Sequence, residues 1–237
     1  MSSSESSKSS LFILKQLMNA KVHLGHKTRI WNPRMAPYIL GVRNGMHVIN
    51  LDRTVALLSQ ALRFGRELSM RQGRMLWLGP KEPGQNRVLM DIAARTPNTL
   101  FTRKLSRWTG GTFSNPVETN TLDQFDFQLP DAVFVLDSQR YRGAIREAKV
   151  VGIPVVAILD SDCDPADVTY PIPGNDESTL ALHLYASLMS QAMTEGELMR
   201  LRLSNPKAAQ VVAAAEKPKK LNWSQIKNFS VEEDDGK

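Results

Sequence analysis

The chain has one cysteine, Cys163, in 237 residues. A single thiol cannot close an internal disulfide, nor anchor a multi-cysteine zinc site or an iron–sulfur cluster, which excludes a disulfide-stapled secreted scaffold. No run approaches the roughly 18 apolar residues of a membrane span. A Rossmann G-x-G-x-x-G is also missing. The turn Gly79–Asn86 has the two-glycine spacing of a phosphate-binding P-loop, but Gln85 and Asn86 stand where that motif needs Lys and Ser/Thr. Neither the cation for the β- and γ-phosphates nor the hydroxyl for magnesium is there, which argues against nucleotide hydrolysis.

Acid is scarce in one half of the chain. The net charge of +6 hides an uneven distribution. Residues 21–111 hold 16 Lys/Arg against four acids, a balance of +12, whereas residues 112–237 hold 12 against 19, a balance of −7. Such polarity points to a polyanion facing the basic half, and the dominance of arginine favours forked contacts to phosphate. An apolar fraction of 42% is ordinary for a globular protein.

Residues 1–10 (MSSSESSKSS) have no apolar residue after Met1 and are expected to be a disordered tail. A helix is expected from about Ser10 to Asn19, with Leu11, Leu14 and Met18 as its apolar stripe and Phe12 and Leu17 flanking. Two β-rich runs, Tyr38–Val42 and Met46–Ile49, flank Arg43-Asn44-Gly45. Asn-Gly there predicts a hairpin, because both residues tolerate positive φ. Asp52 is expected to cap a helix reaching about Gln72, with Leu51, Val55, Leu58, Leu62 and Leu68 as its buried face. Strands then alternate with helices. The strands are Met75–Leu78, Thr99–Phe101, Ala132–Leu136, Val155–Leu159 and Val168–Ile172. The helices lie near Gln85–Arg95, Gln139–Val150 and Ser178–Arg202. Short continuous apolar strands between helices imply an α/β fold, a doubly wound parallel sheet of about five strands with helices on both faces, preceded by an N-terminal helix and a β-hairpin. The resulting division is a tail (1–10), a helix-plus-hairpin unit (11–50), an α/β domain (51–205) and a C-terminal extension (206–237), with Trp223 and Phe229 as the extension's natural anchors. The stretch Ser106–Pro130 has no helical period and reads as a loop that carries function or replaces something.

Two clusters invite chemistry. Asp160, Asp162 and Asp164 follow a strand end, where carboxylates can hold magnesium for phosphoryl transfer; the plainer reading has Asp160 and Asp162 capping turns. His23 and His26 lie three apart, but no second His/Cys cluster accompanies them, so neither a metal nor a cofactor is expected. Beside Lys21, Lys27 and Arg29, these histidines fit hydrogen bonding to phosphate or base. Lys and Arg interleaved with Trp31, Tyr38 and Trp108 supply charge and stacking planes suited to irregular RNA.

VHLGHKTRIWNPRMAPYILGVRNGMHVINLDRT, WTGGTFSN, PDAVFVLD, VGIPVVAILDSDCDP and YPIPGNDES, in that order, resemble the small-subunit ribosomal protein two family over about residues 11–195. The resemblance implies a flavodoxin-like domain that binds small-subunit ribosomal RNA beside neighbouring ribosomal proteins, at the head–body junction, with no catalytic activity, membrane or small-molecule substrate. Bacterial and plastid members insert a helical hairpin between the W-x-G-G loop and the PDA strand. Here about 15 residues, Pro116–Pro130, join the two. That loss, with YPIPGNDESTLALHLY, resembles the mitochondrial members and implies the mitochondrion.

Charge and motif position together nominate Lys21, His23, His26, Lys27, Arg29, Arg34 and Arg43 for phosphate and sugar, and Trp31, Asn32 and Asn44 for bases. Arg53, Lys81, Arg103, Lys104, Arg107 and Trp108 extend the RNA surface. The rivals are a metal-dependent phosphoryl-transfer enzyme built on Asp137, Asp160, Asp162 and Asp164, and an RNA-binding adaptor off the ribosome.

Overall fold

The computed structural model describes residues 13–80, 82–101, 108–116 and 128–204. The expected tail and C-terminal extension, along with Leu11, Phe12, Lys81, Arg103, Lys104 and Arg107, lie outside them. Met1–Glu197 forms one compact unit and Leu198–Lys237 a second. No helix among the described residues is long and apolar enough to cross a membrane.

The first helix, α1 (13–19), buries Leu17 and leaves Met18 53% exposed, so the inward stripe is centred on the residue expected to flank it. Three strands follow: β1 (Leu24–Lys27), β2 (Ile39–Arg43) and β3 (Met46–Ile49). The hairpin forms as the Asn-Gly pair requires, with φ of 51° at Asn44 and 75° at Gly45. The hairpin is only part of the sheet, because β1 also pairs with β3 in the order β1-β3-β2. A four-residue strand containing Gly25 shows no alternation to read. Between β1 and β2 the chain makes two 3₁₀ turns, Thr28–Ile30 and Pro33–Tyr38; the Asn32 side chain caps the second by accepting from Arg34 N.

Helix α2 (Leu51–Met70) is capped by Asn50 rather than Asp52, the Asn50 amide oxygen accepting from the Asp52 and Arg53 N–H groups. Of its expected buried face, Leu58 is buried, while Leu51, Val55, Leu62 and Leu68 are half-buried and the fully buried stripe is a different one. It consists of Thr54, Leu58, Ala61, Gly65 and Ser69. Small residues sit there because another helix comes close. A Cβ on Gly65 would lie 2.6 Å from Met189 Sδ, and one on Gly196 would lie 2.1 Å from the Arg66 carbonyl oxygen.

The rest is β4 (Met75–Leu78), α3 (Pro83–Arg95), β5 (Thr99–Phe101), β6 (Ala132–Val135), α4 (Arg142–Val151), β7 (Val155–Leu159), β8 (Tyr170–Pro173) and α5 (Thr179–Ser204). All five strands are parallel, in the order β5-β4-β6-β7-β8. This is the flavodoxin-like order. Every residue of β4, β6 and β7 is buried, which is why these strands read as continuous apolar runs. Leu76, Val133, Val135, Ala157 and Leu159 face α4 through Ala144, Ile145 and Ala148. On the other face Trp77 meets Phe134 edge to face at 5.1 Å. Right-handed crossovers running in opposite directions from β4 and β6 put α3 and α4 on opposite faces, and leave a crevice outside the strands' carboxyl ends.

The Trp108–Asn115 loop is held to α4 by one carboxylate. Glu147 accepts from Trp108 Nε1 and from the N–H groups of Phe113 and Ser114, each at 2.9 Å. Burial works to raise the Glu147 pKa, but these donors and the Ser114 hydroxyl outweigh it and hold the carboxyl below its usual range.

Candidate functional site

The crevice at the carboxyl ends collects acids: Asp137 after β6, Asp160 and Asp162 after β7, and Asp176 and Glu177 after β8. It opens into a cavity of about 410 Å³ lined by Glu82, Asp137, Asp162, Asp176, Glu177 and His26, among others. His26 comes from β1, 134 residues before Asp160. Its backbone N–H donates to Asp160 Oδ1 at 3.2 Å and to Ser161 Oγ at 2.9 Å. Its ring has Nδ1 3.1 Å from Asp160 Oδ2 and 3.8 Å from Asp162 Oδ1, and Nε2 3.3 Å from Glu177 Oε1. Asn32 N donates to Ser161 O at 2.8 Å, so the strand end also grips the turn that follows β1. There is no room for a larger residue at this join: a Cβ on Gly25 would stand 3.1 Å from both Asp160 Oδ1 and Ser161 Oγ.

Asp160 pulls the His26 pKa up to about 9, against the cost of burial, and Asp162 and Glu177 add to the pull. The ring is therefore an imidazolium at neutral pH. Asp176 is pushed up to about 8 by burial and then by repulsion from Asp160, Asp137 and Asp162. Donor atoms of His26, Asp160 and Asp162 lie within 4.8 Å of one another, a spacing that one cation could share. The imidazolium has no lone pair for a metal, so a proton and a metal ion compete for this place. Burial pushes the Cys163 thiol far up, which leaves it inert.

The expected RNA-binding residues separate into three groups. Lys21, Lys27, Arg29, Arg43 and Arg53 are exposed, and none of them makes an ion pair among the described residues. Trp31 is 39% exposed and lies against His47 at 5.0 Å between ring centroids. The second group has internal partners. His26 sits in the acidic crevice. Arg34 reaches Asp164 at 2.7 Å while staying 64% exposed. Asn32 caps a turn, Asn44 makes the hairpin, and Trp108 donates to Glu147 and packs on Phe113. His23 is half-buried, as is Tyr38, which packs on the core. The third group, Lys81, Arg103, Lys104 and Arg107, lies outside the described residues.

Sequence spacing paired His26 with His23 and missed its real companions, Asp160, Asp162 and Glu177. No local pattern links residues that far apart. The YPIPGNDES and LDSD segments, each carrying acids just past a strand end, were the available signal.

The ribosomal protein S2 family model matches residues 17–126 and 119–196. The chain is 36% identical over 227 residues to the small ribosomal subunit protein uS2 of Paramagnetospirillum magneticum, covering 78% of this chain and 83% of that one. It is 37% identical over 224 residues to the protein of the same name from Agrobacterium fabrum, with 78% and 86% covered. Taken with the β5-β4-β6-β7-β8 sheet and the three-stranded unit docked at its carboxyl edge, these matches establish that the chain belongs to the ribosomal protein S2 family.

Proposed function

We propose that this protein is a structural, non-catalytic constituent of the small subunit of a mitochondrial ribosome. Its three-stranded unit binds small-subunit ribosomal RNA at the head–body junction, and its acidic half meets neighbouring ribosomal proteins and solvent. The observation that carries this reading is the set of exposed cations Lys21, Lys27, Arg29 and Arg43 in and beside the three-stranded sheet, in a chain of this family. Phosphate contacts position such a protein on RNA, and exposed arginines supply them. The rival phosphoryl-transfer reading fits less well. Its carboxylates hold the chain's own His26 and Arg34, and the remaining cavity lining is acidic, which repels a phosphorylated substrate.

The mitochondrial assignment is supported by the short Pro116–Pro130 connection. The family model matches in two segments that meet within it. The test is sedimentation of the tagged full-length protein from a mitochondrial lysate. Wild type should travel with small subunits and be released as salt rises. The Arg29→Glu/Arg43→Glu double variant should stay at the top of the gradient with an unchanged melting temperature. Normal incorporation of that variant overturns the RNA-binding role, and a protein absent from mitochondrial particles overturns the location.

A further inference from the structure

We infer that the RNA bound by the three-stranded unit is unpaired, its splayed bases packing on an apolar ridge of the sheet, and that it is not a continuous duplex; this rests on the RNA-binding reading above. Half of the large apolar side chains exposed among the described residues fall within residues 30–46: Ile30, Trp31, Leu40, Val42 and Met46. A protein that only tracks a duplex backbone has no use for them, since A-form RNA offers phosphates, sugars and a shallow groove.

The arrangement is ordered. Val42 stands directly opposite His47 in the β2–β3 ladder, so the two side chains share a face. The His47 ring is buried and lies against Trp31. His47 thus touches Trp31 on one hand and shares a face with Val42 on the other, and Trp31 keeps 39% of its surface exposed. Val42 is 59% exposed and Leu40, two residues along the same edge strand, 70%. Among the described residues strand β2 has only β3 beside it, so this ridge lies at a margin of the sheet. Aromatic planes take up unstacked bases, and aliphatic side chains wedge between base steps.

Charge selects RNA over a protein as the occupant. Residues 21–51 contain no Asp or Glu and five Lys/Arg, Lys21, Lys27, Arg29, Arg34 and Arg43, all exposed. Apolar surface set among Lys21, Lys27, Arg29 and Arg43, none of which is ion-paired among the described residues, matches a ligand that presents bases and phosphates together.

The test is fluorescence anisotropy of the full-length protein with two labelled RNAs of equal length across a salt series, one a perfect duplex and the other carrying an internal loop. Wild type should prefer the looped RNA. Leu40→Ser/Val42→Ser, both at exposed positions, should weaken looped-RNA binding about tenfold, leave duplex binding within about twofold and keep the salt slope. Arg29→Gln/Arg43→Gln should weaken both RNAs and lower the slope by about two. Equal losses on the two RNAs, or no loss, from the serine pair overturn the inference while leaving RNA binding intact. A serine pair that binds both RNAs normally but falls off small subunits assigns the ridge to a neighbouring protein and also overturns it. Wild type that binds neither RNA overturns the RNA-binding reading itself, and this inference with it.

Discussion

The three-stranded sheet and the carboxyl edge of the parallel sheet touch at His26, yet their charge is opposite. Residues 21–51 carry no acid, whereas the loops after β6, β7 and β8 bring together Asp137, Asp160, Asp162, Asp164, Asp176 and Glu177. In open α/β sheets this edge is where ligands bind. Here the edge receives part of its own chain: His26 turns inward to the acids, Arg34 pairs with Asp164 at the surface, and Lys21, Lys27, Arg29 and Arg43 are exposed. One set of like charges therefore faces the acids, and the other set is left exposed, where the proposed RNA partner would meet it. The difference shows how a nucleotide-site geometry can serve as a socket for a binding module.

The comparison breaks most visibly at the socket. Asp160 is almost fully buried and holds both the His26 ring and its backbone N–H. Replacing it by Ala should cost about 3–5 kcal/mol, because the imidazolium is left without its main partner. Chemical denaturation measures this, and a loss under ~1 kcal/mol would show that the pair does not fasten the unit.

A pH series probes the same contact without mutation. The His26 pKa is raised from 6.5 to about 9, so its contribution is fully present below pH 6.5 and is lost as pH rises through about 9. At 1.36 kcal/mol per pH unit, that rise corresponds to about 3 kcal/mol. Asp176 is raised from 3.8 to about 8, so the native state holds a proton that the unfolded chain has released, and stability declines across that window too. Thermal melts should fall from about pH 5 to pH 9, and Asp176→Asn should flatten the lower part of the curve. A curve that rises with pH contradicts the charge assignment at His26.

Smaller effects sharpen the boundary. Gly25→Ala puts a methyl 3.1–3.2 Å from Asp160 Oδ1, Ser161 Oγ and the His47 carbonyl, which should cost about 1–2 kcal/mol by forcing the two regions apart. Full retention of stability would mean that the join is looser than the geometry implies. The outward cations should matter least to folding. Arg29→Gln/Arg43→Gln is expected to change stability by under ~0.5 kcal/mol while weakening RNA binding, so a large drop in melting temperature would place these arginines inside the structural network.

Much of this was legible locally. Asn44-Gly45 announced its turn because both residues tolerate the two successive positive φ values it needs, and β4, β6 and β7 announced burial on both faces by unbroken apolar runs. The misread details have non-local causes. Asn50 displaced Asp52 as the α2 cap because the chain enters the helix directly from β3. Met18 faces out and Leu17 in because packing set the phase of a short helix whose stripe was broad. At the site, the exposed cations were readable from composition, but the internal partners of Arg34, Asn32 and Trp108 were not.

The sequence by itself determined the α/β class, the hairpin, the polarity of charge and the family, because period, turn chemistry and ordered motifs are properties of neighbouring residues. Only the tertiary structure decided that β1 joins the hairpin, that α2 buries Thr54, Ala61, Gly65 and Ser69 beneath α5, and that His26 sits among acids from three strand ends. Those outcomes depend on close approach between distant segments, where the space left for a Cβ and the balance between desolvation and ion pairing decide the result.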